Sequence, residues 1–148
     1  MLGNTAVLQA ALPMMRESGF GRVVMFAGGG SAYAYPTFPA YAISKTALVR
    51  EVENIGVEME QARDFSIVML SPGAVETDML SDIRAAGAEI RTPTAIAEAV
   101  GFVSSFLAAA DARKLSGRFV HVRDMWRDLI ADPNKALTDD LWKLRRTK

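Results

Sequence analysis

The chain has 148 residues, half of them hydrophobic, with 17 basic and 17 acidic side chains and a formal net charge of zero. This length and composition predict one folded domain with its own core and argue against a disordered chain. Balanced charge provides no strong field to attract nucleic acid or an anionic membrane, and the absence of cysteine excludes disulfides and thiol catalysis. With no signal pattern and no apolar run long enough to span a bilayer, we expect a cytoplasmic protein.

The first half of the chain is predicted to form a helix, a strand and a longer helix. The first helix runs from about Leu2 to Ser18, and the second from about Ala40 to Gln61. Between them, Arg22–Ala27 is a continuous apolar run bounded by glycines, which is typical of a strand buried on both faces of a parallel sheet. Residues 28–39, with three glycines and two prolines, are predicted to be an irregular loop.

The second half repeats this alternation. Phe65–Leu70 is a second buried strand, followed by a mixed segment of short helix and loop that extends to Ile90. Thr92-Pro93 marks a helix start, after which apolar residues recur at helical spacing; these are Ile96, Val100, Val103 and Leu107. A third strand is predicted from Arg118 to Val122. Strands that alternate with helices of this length indicate an α/β fold with a parallel sheet.

The long second helix contains the most informative pair of side chains. Its apolar stripe, Leu48, Val52, Ile55 and Met59, extends backwards through Lys45 and Tyr41. An ammonium on the buried side of a helix is costly unless it has a partner or a function. Because the two residues are four apart, their side chains can reach the same space, and a nearby ammonium would lower the pKa of the tyrosine. A tyrosine with a lowered pKa can serve as a general base.

Four segments together resemble the short-chain dehydrogenase/reductase family. Residues 41–48 (YAISKTAL) are similar to its active-site helix, in which a tyrosine precedes a lysine by four positions. Residues 71–77 (SPGAVET) resemble its Pro-Gly-x-x-x-Thr turn, which follows the next strand. Residues 21–24 (GRVV) and 116–118 (SGR) resemble the entries to the strand before the active site and to the last strand. The order of these segments along the chain is that of the family.

The resemblance implies the C-terminal part of a Rossmann-type, doubly wound parallel sheet, with about three strands and flanking helices. Residues 1–148 would form a single partial domain, and the N-terminal half that binds the dinucleotide would be absent. The three glycines at 28–30 follow a strand but lead into a proline-containing loop instead of a helix. We therefore reject them as a phosphate-binding loop.

The family's chemistry would fall on few residues. Tyr41 would move a proton to or from the oxygen of a small-molecule alcohol or carbonyl substrate, while a hydride passes to or from NAD or NADP. Lys45 would hydrogen-bond the nicotinamide ribose. Cofactor contacts would come from Tyr41 and Lys45 and, in the turn, from Pro72, Gly73, Val75 and Thr77. The segment from Asp78 to Ile90 would lie over the substrate as a mobile lid.

One catalytic group of the family has no direct counterpart. A serine normally ends the strand before the tyrosine, where this chain has Ala27-Gly28-Gly29. Ser31 is the nearest hydroxyl and, by folding back across the glycines, is the candidate third catalytic residue. We also expect that Gly28→Ser would not impair activity, because it would add a hydroxyl near the substrate oxygen.

A non-catalytic remnant or interaction protein that retains the fold of this half is the alternative. The missing serine and nucleotide motif favour it, whereas Tyr41, Lys45 and the Pro72–Thr77 turn favour the enzyme. No group of residues has metal-ligand spacing. Because the first strand would have an unpaired edge and the first helix is apolar nearly all round, we expect a homo-oligomer.

Overall fold

The computed structural model describes residues 2–28, 30–87, 89–90, 93–136 and 142–144, and within them helices and strands alternate as predicted. The α-helices are Leu2–Ser18 (α1), Pro39–Glu58 (α2), Asp78–Ala85 (α3), Ile96–Ala108 (α4) and Trp126–Ala131 (α5). The strands are Phe20–Phe26 (β1), Asp64–Ser71 (β2) and Arg118–His121 (β3). Short 3-10 helices span Ala112–Leu115 and Pro133–Ala136.

The described strands form one parallel sheet in the order β1-β2-β3. Phe26 is in register with Leu70, and Leu70 with Val120. Central β2 is covered on both faces, so Ile67 and Val68 are fully buried. This arrangement confirms the predicted α/β class and the parallel sheet.

Each face of the sheet has its own apolar core. On one face, Leu48, Val52 and Ile55 of α2 pack with Ile67 and Met69 of β2. On the other face, Phe102 and Phe106 of α4 pack over Val68, Leu70 and Val120, and Trp126 of α5 meets the Phe102 ring edge-on at 5.7 Å. The helical stripe predicted from the sequence therefore forms the core on the α2 side.

Two predicted boundaries are displaced by tertiary hydrogen bonds. β1 begins at Phe20, two residues before the predicted start, because the Asp64 N–H donates to the Gly19 carbonyl at 2.7 Å and pairing starts there. α4 begins at Ile96 instead of at Thr92-Pro93. The Thr94 N–H donates to the Ala74 carbonyl at 2.7 Å, which holds the chain outside the helix; Thr92 lies outside the described residues.

The two edges of the sheet differ. Phe119 of β3 donates its N–H to the Trp142 carbonyl at 2.7 Å, so part of the C-terminal segment covers this edge. β1 has a neighbouring strand on one side only among the described residues. In this part of the chain, no helix is both long and apolar enough to cross a membrane.

Candidate active site

The three strands end at the same side of the sheet because they are parallel. The segments that follow Phe26, Ser71 and His121 therefore lie side by side. Open α/β sheets place their ligands beyond the carboxyl ends of strands. All the site residues predicted from the sequence lie in these segments or at the start of α2.

Tyr41, in the first turn of α2, is folded directly over Gly28. A Cβ added at Gly28 would collide with the Tyr41 hydroxyl and lie 2.8 Å from Cζ of the ring. The hydroxyl thus occupies the space that a side chain at position 28 would fill. Gly28→Ser requires the Tyr41 ring to move, which counts against our expectation that this substitution would be tolerated.

Lys45 lies one turn further along α2 and reaches the same place. Its Nζ stands 5.7 Å from the centroid of the Tyr41 ring and donates a hydrogen bond of 3.0 Å to the backbone carbonyl of Phe26. The structure therefore brings Tyr41 and Lys45 together, as their spacing predicted. The buried-side lysine has a backbone carbonyl as its partner, which offsets part of its desolvation.

The protonation of this pair differs from the expectation. Burial raises the pKa of Tyr41 above its ordinary value, and the neighbouring Tyr35 raises it further. Burial lowers the pKa of Lys45. The prediction that Lys45 would lower the pKa of Tyr41 is wrong for the chain as it folds here, because loss of solvent outweighs the nearby ammonium. Tyr41 is consequently a protonated phenol at neutral pH.

Ser31 folds back across the glycine loop, as its candidacy required. It is 2% exposed, and its Oγ donates to the Gly28 carbonyl at 2.7 Å and accepts the Gly28 N–H at 3.2 Å. These bonds direct the hydroxyl to the backbone of Gly28 and fix the loop beneath Tyr41. A role in positioning therefore has direct geometric support, whereas polarisation of a substrate by Ser31 stays a prediction.

The turn after β2 contains the predicted cofactor contacts. Gly73 has a φ of +74°, and a Cβ there would collide with the Thr94 hydroxyl, so glycine is required twice over. Thr77 caps α3, its Oγ1 accepting the Leu80 N–H at 3.3 Å. Pro72 and Val75 are half-buried, and Thr77 is exposed. The turn is a rigid platform from which α3 starts.

An apolar groove of about 380 Å³ runs from this turn along α4. Residues of all three segments line it, among them Phe26, Pro72, Val75, Ile96, Val100 and Val103. Apolar walls of this kind accept planar, uncharged rings more readily than ions. The groove opens beside the end of β1, on the opposite face of the sheet from α2.

Sequence reasoning missed three contributors to the site. Phe26 acts through its backbone carbonyl, which no side-chain pattern reveals. Thr94 is far from Gly73 in the chain, and only folding brings them together. Tyr35 is in the loop predicted to be irregular, and its proximity to Tyr41 depends on how that loop folds.

Comparison with known proteins identifies the class of this fold and then the family. The fold is that of Rossmann-type dehydrogenases: it matches a gluconate 5-dehydrogenase described as putative, from Beutenbergia cavernae with bound NADP, at a TM-score of 0.68 and 27% identity over 82% of this chain and 51% of that one. A 4-hydroxyisoleucine dehydrogenase complexed with NADH and succinate matches at a TM-score of 0.64 and 19% identity, covering 86% of this chain and 55% of that one. The family model for short chain dehydrogenase matches residues 1–88, more than half of the chain. The chain belongs to the short-chain dehydrogenase family.

A curated relative supports the same family assignment. An uncharacterized oxidoreductase of Schizosaccharomyces pombe is 31% identical over 139 residues, which cover 81% of this chain and 51% of the relative. Across the first curated relatives, the chain spans between 24% and 51% of their length. The relatives therefore contain at least about as much further chain.

Proposed function

We propose that this chain carries the catalytic part of an NAD(P)-dependent oxidoreductase that acts on a small alcohol or carbonyl compound. One observation supports this most directly: Tyr41 and Lys45 converge at the carboxyl end of β1, beside the Pro72–Thr77 turn. This is where an open α/β sheet binds its ligands. Relatives that are named as oxidoreductases, and solved neighbours with bound NADP or NADH, support the same reaction class.

In this proposal Tyr41 exchanges a proton with the substrate oxygen. A phenol with a raised pKa holds its proton at neutral pH and is ready to donate it. Lys45 would turn from the Phe26 carbonyl to the ribose hydroxyls of the cofactor. Ser31 would act as a positioning residue, because it fixes Gly28 beneath the Tyr41 hydroxyl.

The turn after β2 would hold the nicotinamide end of the cofactor. Pro72 and Val75 supply an apolar wall, and Gly73 and Thr77 shape the backbone around it. The wall suits the planar nicotinamide ring, and the ammonium of Lys45 suits its hydroxylated ribose. The cofactor would supply or accept the hydride. The choice between NAD and NADP belongs to the part of the relatives that this chain does not span.

The proposal includes a need for further chain. The 148 residues carry no glycine-rich turn that leads from a strand into a helix, the feature that binds a pyrophosphate. We infer that turnover requires the remaining half of the family domain, that the active assembly is a homo-oligomer, and that it works in the cytoplasm. The non-catalytic alternative has the absence of a serine at position 28 in its favour, but the named oxidoreductase relatives do not favour it.

Tyr41→Phe tests the proposal in a form of the protein that includes a cofactor-binding half. We expect turnover to fall by about 10²–10⁴-fold, because the substitution removes the proton and leaves the ring. The measurement is oxidation of NADH or NADPH with a panel of small carbonyl compounds, followed by the absorbance of the reduced nicotinamide. Tyr33→Phe is the matched control, since Tyr33 is exposed. Normal kcat in Tyr41→Phe would contradict the assignment.

A further inference from the structure

The outer edge of β1 presents the backbone groups of alternate residues. Ala27 donates its N–H to the Leu70 carbonyl at 2.8 Å, so the odd-numbered residues of β1 face β2. In a strand the N–H and C=O of one residue point the same way, and successive residues alternate. Arg22, Val24 and Phe26 therefore direct their backbone groups away from the sheet. Within the described ranges, no strand pairs with them.

One of these outward carbonyls is already engaged. Lys45 Nζ donates to the Phe26 carbonyl at 3.0 Å, at the end of the edge nearest the candidate site. A strand that added in parallel to β1 would bring its own N–H to this carbonyl. The ammonium that the proposed function assigns to the cofactor thus occupies an acceptor that a neighbouring strand needs.

The groove beside this edge has room for a helix. α4 is anchored over β2 and β3 by Phe102 and Phe106, yet it exposes Ile96, Val100 and Leu107 to 64%, 57% and 49%. With strands about 4.8 Å apart and packed helices about 8–10 Å apart, the space over β1 and one added strand accommodates one helix. A second copy paired edge to edge would bring its own α4 no nearer than about twice that distance and leave both grooves open.

We propose that the outer edge of β1 and the apolar side of α4 bind a strand–helix unit from a cofactor-binding half of this family, and that its strand displaces Lys45 from the Phe26 carbonyl. The solved neighbours, of which the chain spans 51% and 55%, contain enough further chain for such a unit. Pairing would thereby release the ammonium into the candidate site. The assignment of Lys45 to the cofactor rests on the proposed function, whereas the binding surface does not.

The test measures association of the 148-residue chain with a separately expressed probe, the N-terminal segment of the Beutenbergia cavernae relative that precedes its match to this chain. Lys45→Met should bind the probe about fivefold more tightly than the unsubstituted chain, because no hydrogen bond has to be broken first. Lys114→Met is the matched control for loss of one positive charge, since Lys114 pairs with Asp111 near the other end of the sheet. Its affinity should be unchanged.

Val24→Pro tests the edge itself. Proline is tolerated on an edge strand where the N–H points outward, but its ring blocks strand addition. We expect this variant to melt cooperatively and to bind the probe at least roughly tenfold more weakly. Amide exchange at Val24 and Phe26 should slow when the probe binds the unsubstituted chain.

Three outcomes overturn the proposal. Equal affinity of Lys45→Met and the unsubstituted chain means that the carbonyl accepts both donors, so no exchange occurs. Failure of both chains to bind the probe, or protection of the two amides by self-association alone, means that the occupant is not a strand–helix unit. These readouts require no turnover, so they are independent of the Tyr41→Phe result. Should Val24→Pro fail to fold, the comparison with Lys45→Met still decides.

Discussion

Tyr41 illustrates how one glycine sets the state of a catalytic candidate. Because position 28 has no side chain, the Tyr41 hydroxyl settles over its backbone and loses contact with solvent. The same burial that raises the pKa of Tyr41 lowers that of Lys45, so both groups shift toward their neutral forms. Two predictions follow at the scale of single residues.

Gly28→Ala is expected to expel the Tyr41 ring from its site. The added Cβ would lie within 3.0 Å of ring atoms, so either the ring or the loop must move. Exposure of the ring should bring the pKa of Tyr41 back toward 10.0, its ordinary value, as measured by absorbance titration of the tyrosinate. Gly3→Ala is the control, because a Cβ there meets nothing within 4 Å. An unchanged titration curve in Gly28→Ala would show that the loop, and not the ring, gives way.

Tyr41 should also contribute to the loss of stability in alkali. Its pKa in the folded chain lies above the unfolded value of 10.0, so its contribution is complete below pH 10 and is lost as the pH rises through the folded value. Tyr41→Phe removes this contribution, and its free energy of unfolding should fall less steeply above pH 10 than that of Tyr33→Phe. Urea titrations at a series of pH values measure both slopes. Parallel slopes would rule out a raised pKa.

At the scale of elements, the connection from β2 to α3 combines a rigid turn with a capped helix. The Thr94 N–H bonds to the Ala74 carbonyl and closes the base of this connection. Within it, Arg84 donates two hydrogen bonds, of 2.8 and 2.5 Å, to the Glu76 carboxylate. This guanidinium holds the pKa of Glu76 below its usual range. The pair is exposed, so we expect it to orient the segment more than to stabilise it.

Thr77→Ala is expected to fray α3 without unfolding the chain. The substitution removes the side chain that accepts the Leu80 N–H, a cap that typically contributes about 1 kcal/mol to its helix. Hydrogen exchange should quicken by several-fold at Leu80 and Ser81 and stay unchanged in β2. Thr77→Ser, which keeps the hydroxyl, should restore the protection. Were Thr77→Ser to exchange as fast as Thr77→Ala, the methyl group and not the cap would be responsible.

At the scale of the whole molecule, apolar surface is distributed over more than one face. α1 buries only Leu8 among its described residues, and Leu2, Val7 and Met14 are 80%, 72% and 69% exposed. A groove of about 440 Å³ separates α1 from α2. Together with the β1 edge, these surfaces are larger than a monomer of this size ordinarily leaves uncovered.

We therefore expect the chain to self-associate at low micromolar concentration. Light scattering should give a mass above the 16.1 kDa of one chain, and Val7→Glu should lower it by placing a charge on the exposed side of α1. Met125→Glu is the control, because Met125 is equally exposed but precedes α5. A monomer that melts cooperatively would refute the prediction.

The sequence by itself determined the α/β class, the parallel strands and the meeting of Tyr41 with Lys45. These features depend on local periodicity: Leu48, Val52 and Ile55 set the buried face of α2, and that face carries the pair with it. The resemblance to the family added the roles expected of the pair and of the Pro72–Thr77 turn.

The tertiary structure decided the features that depend on residues distant in the chain. The partner of Lys45 is a carbonyl 19 positions away, and any residue type at position 26 would offer the same acceptor. The direction of the Tyr41 pKa shift depends on how closely the glycine loop packs against its ring, since burial and a nearby charge act in opposite directions. The bonds of Ser31 to Gly28 form because three glycines allow a turn whose conformation their sequence does not specify.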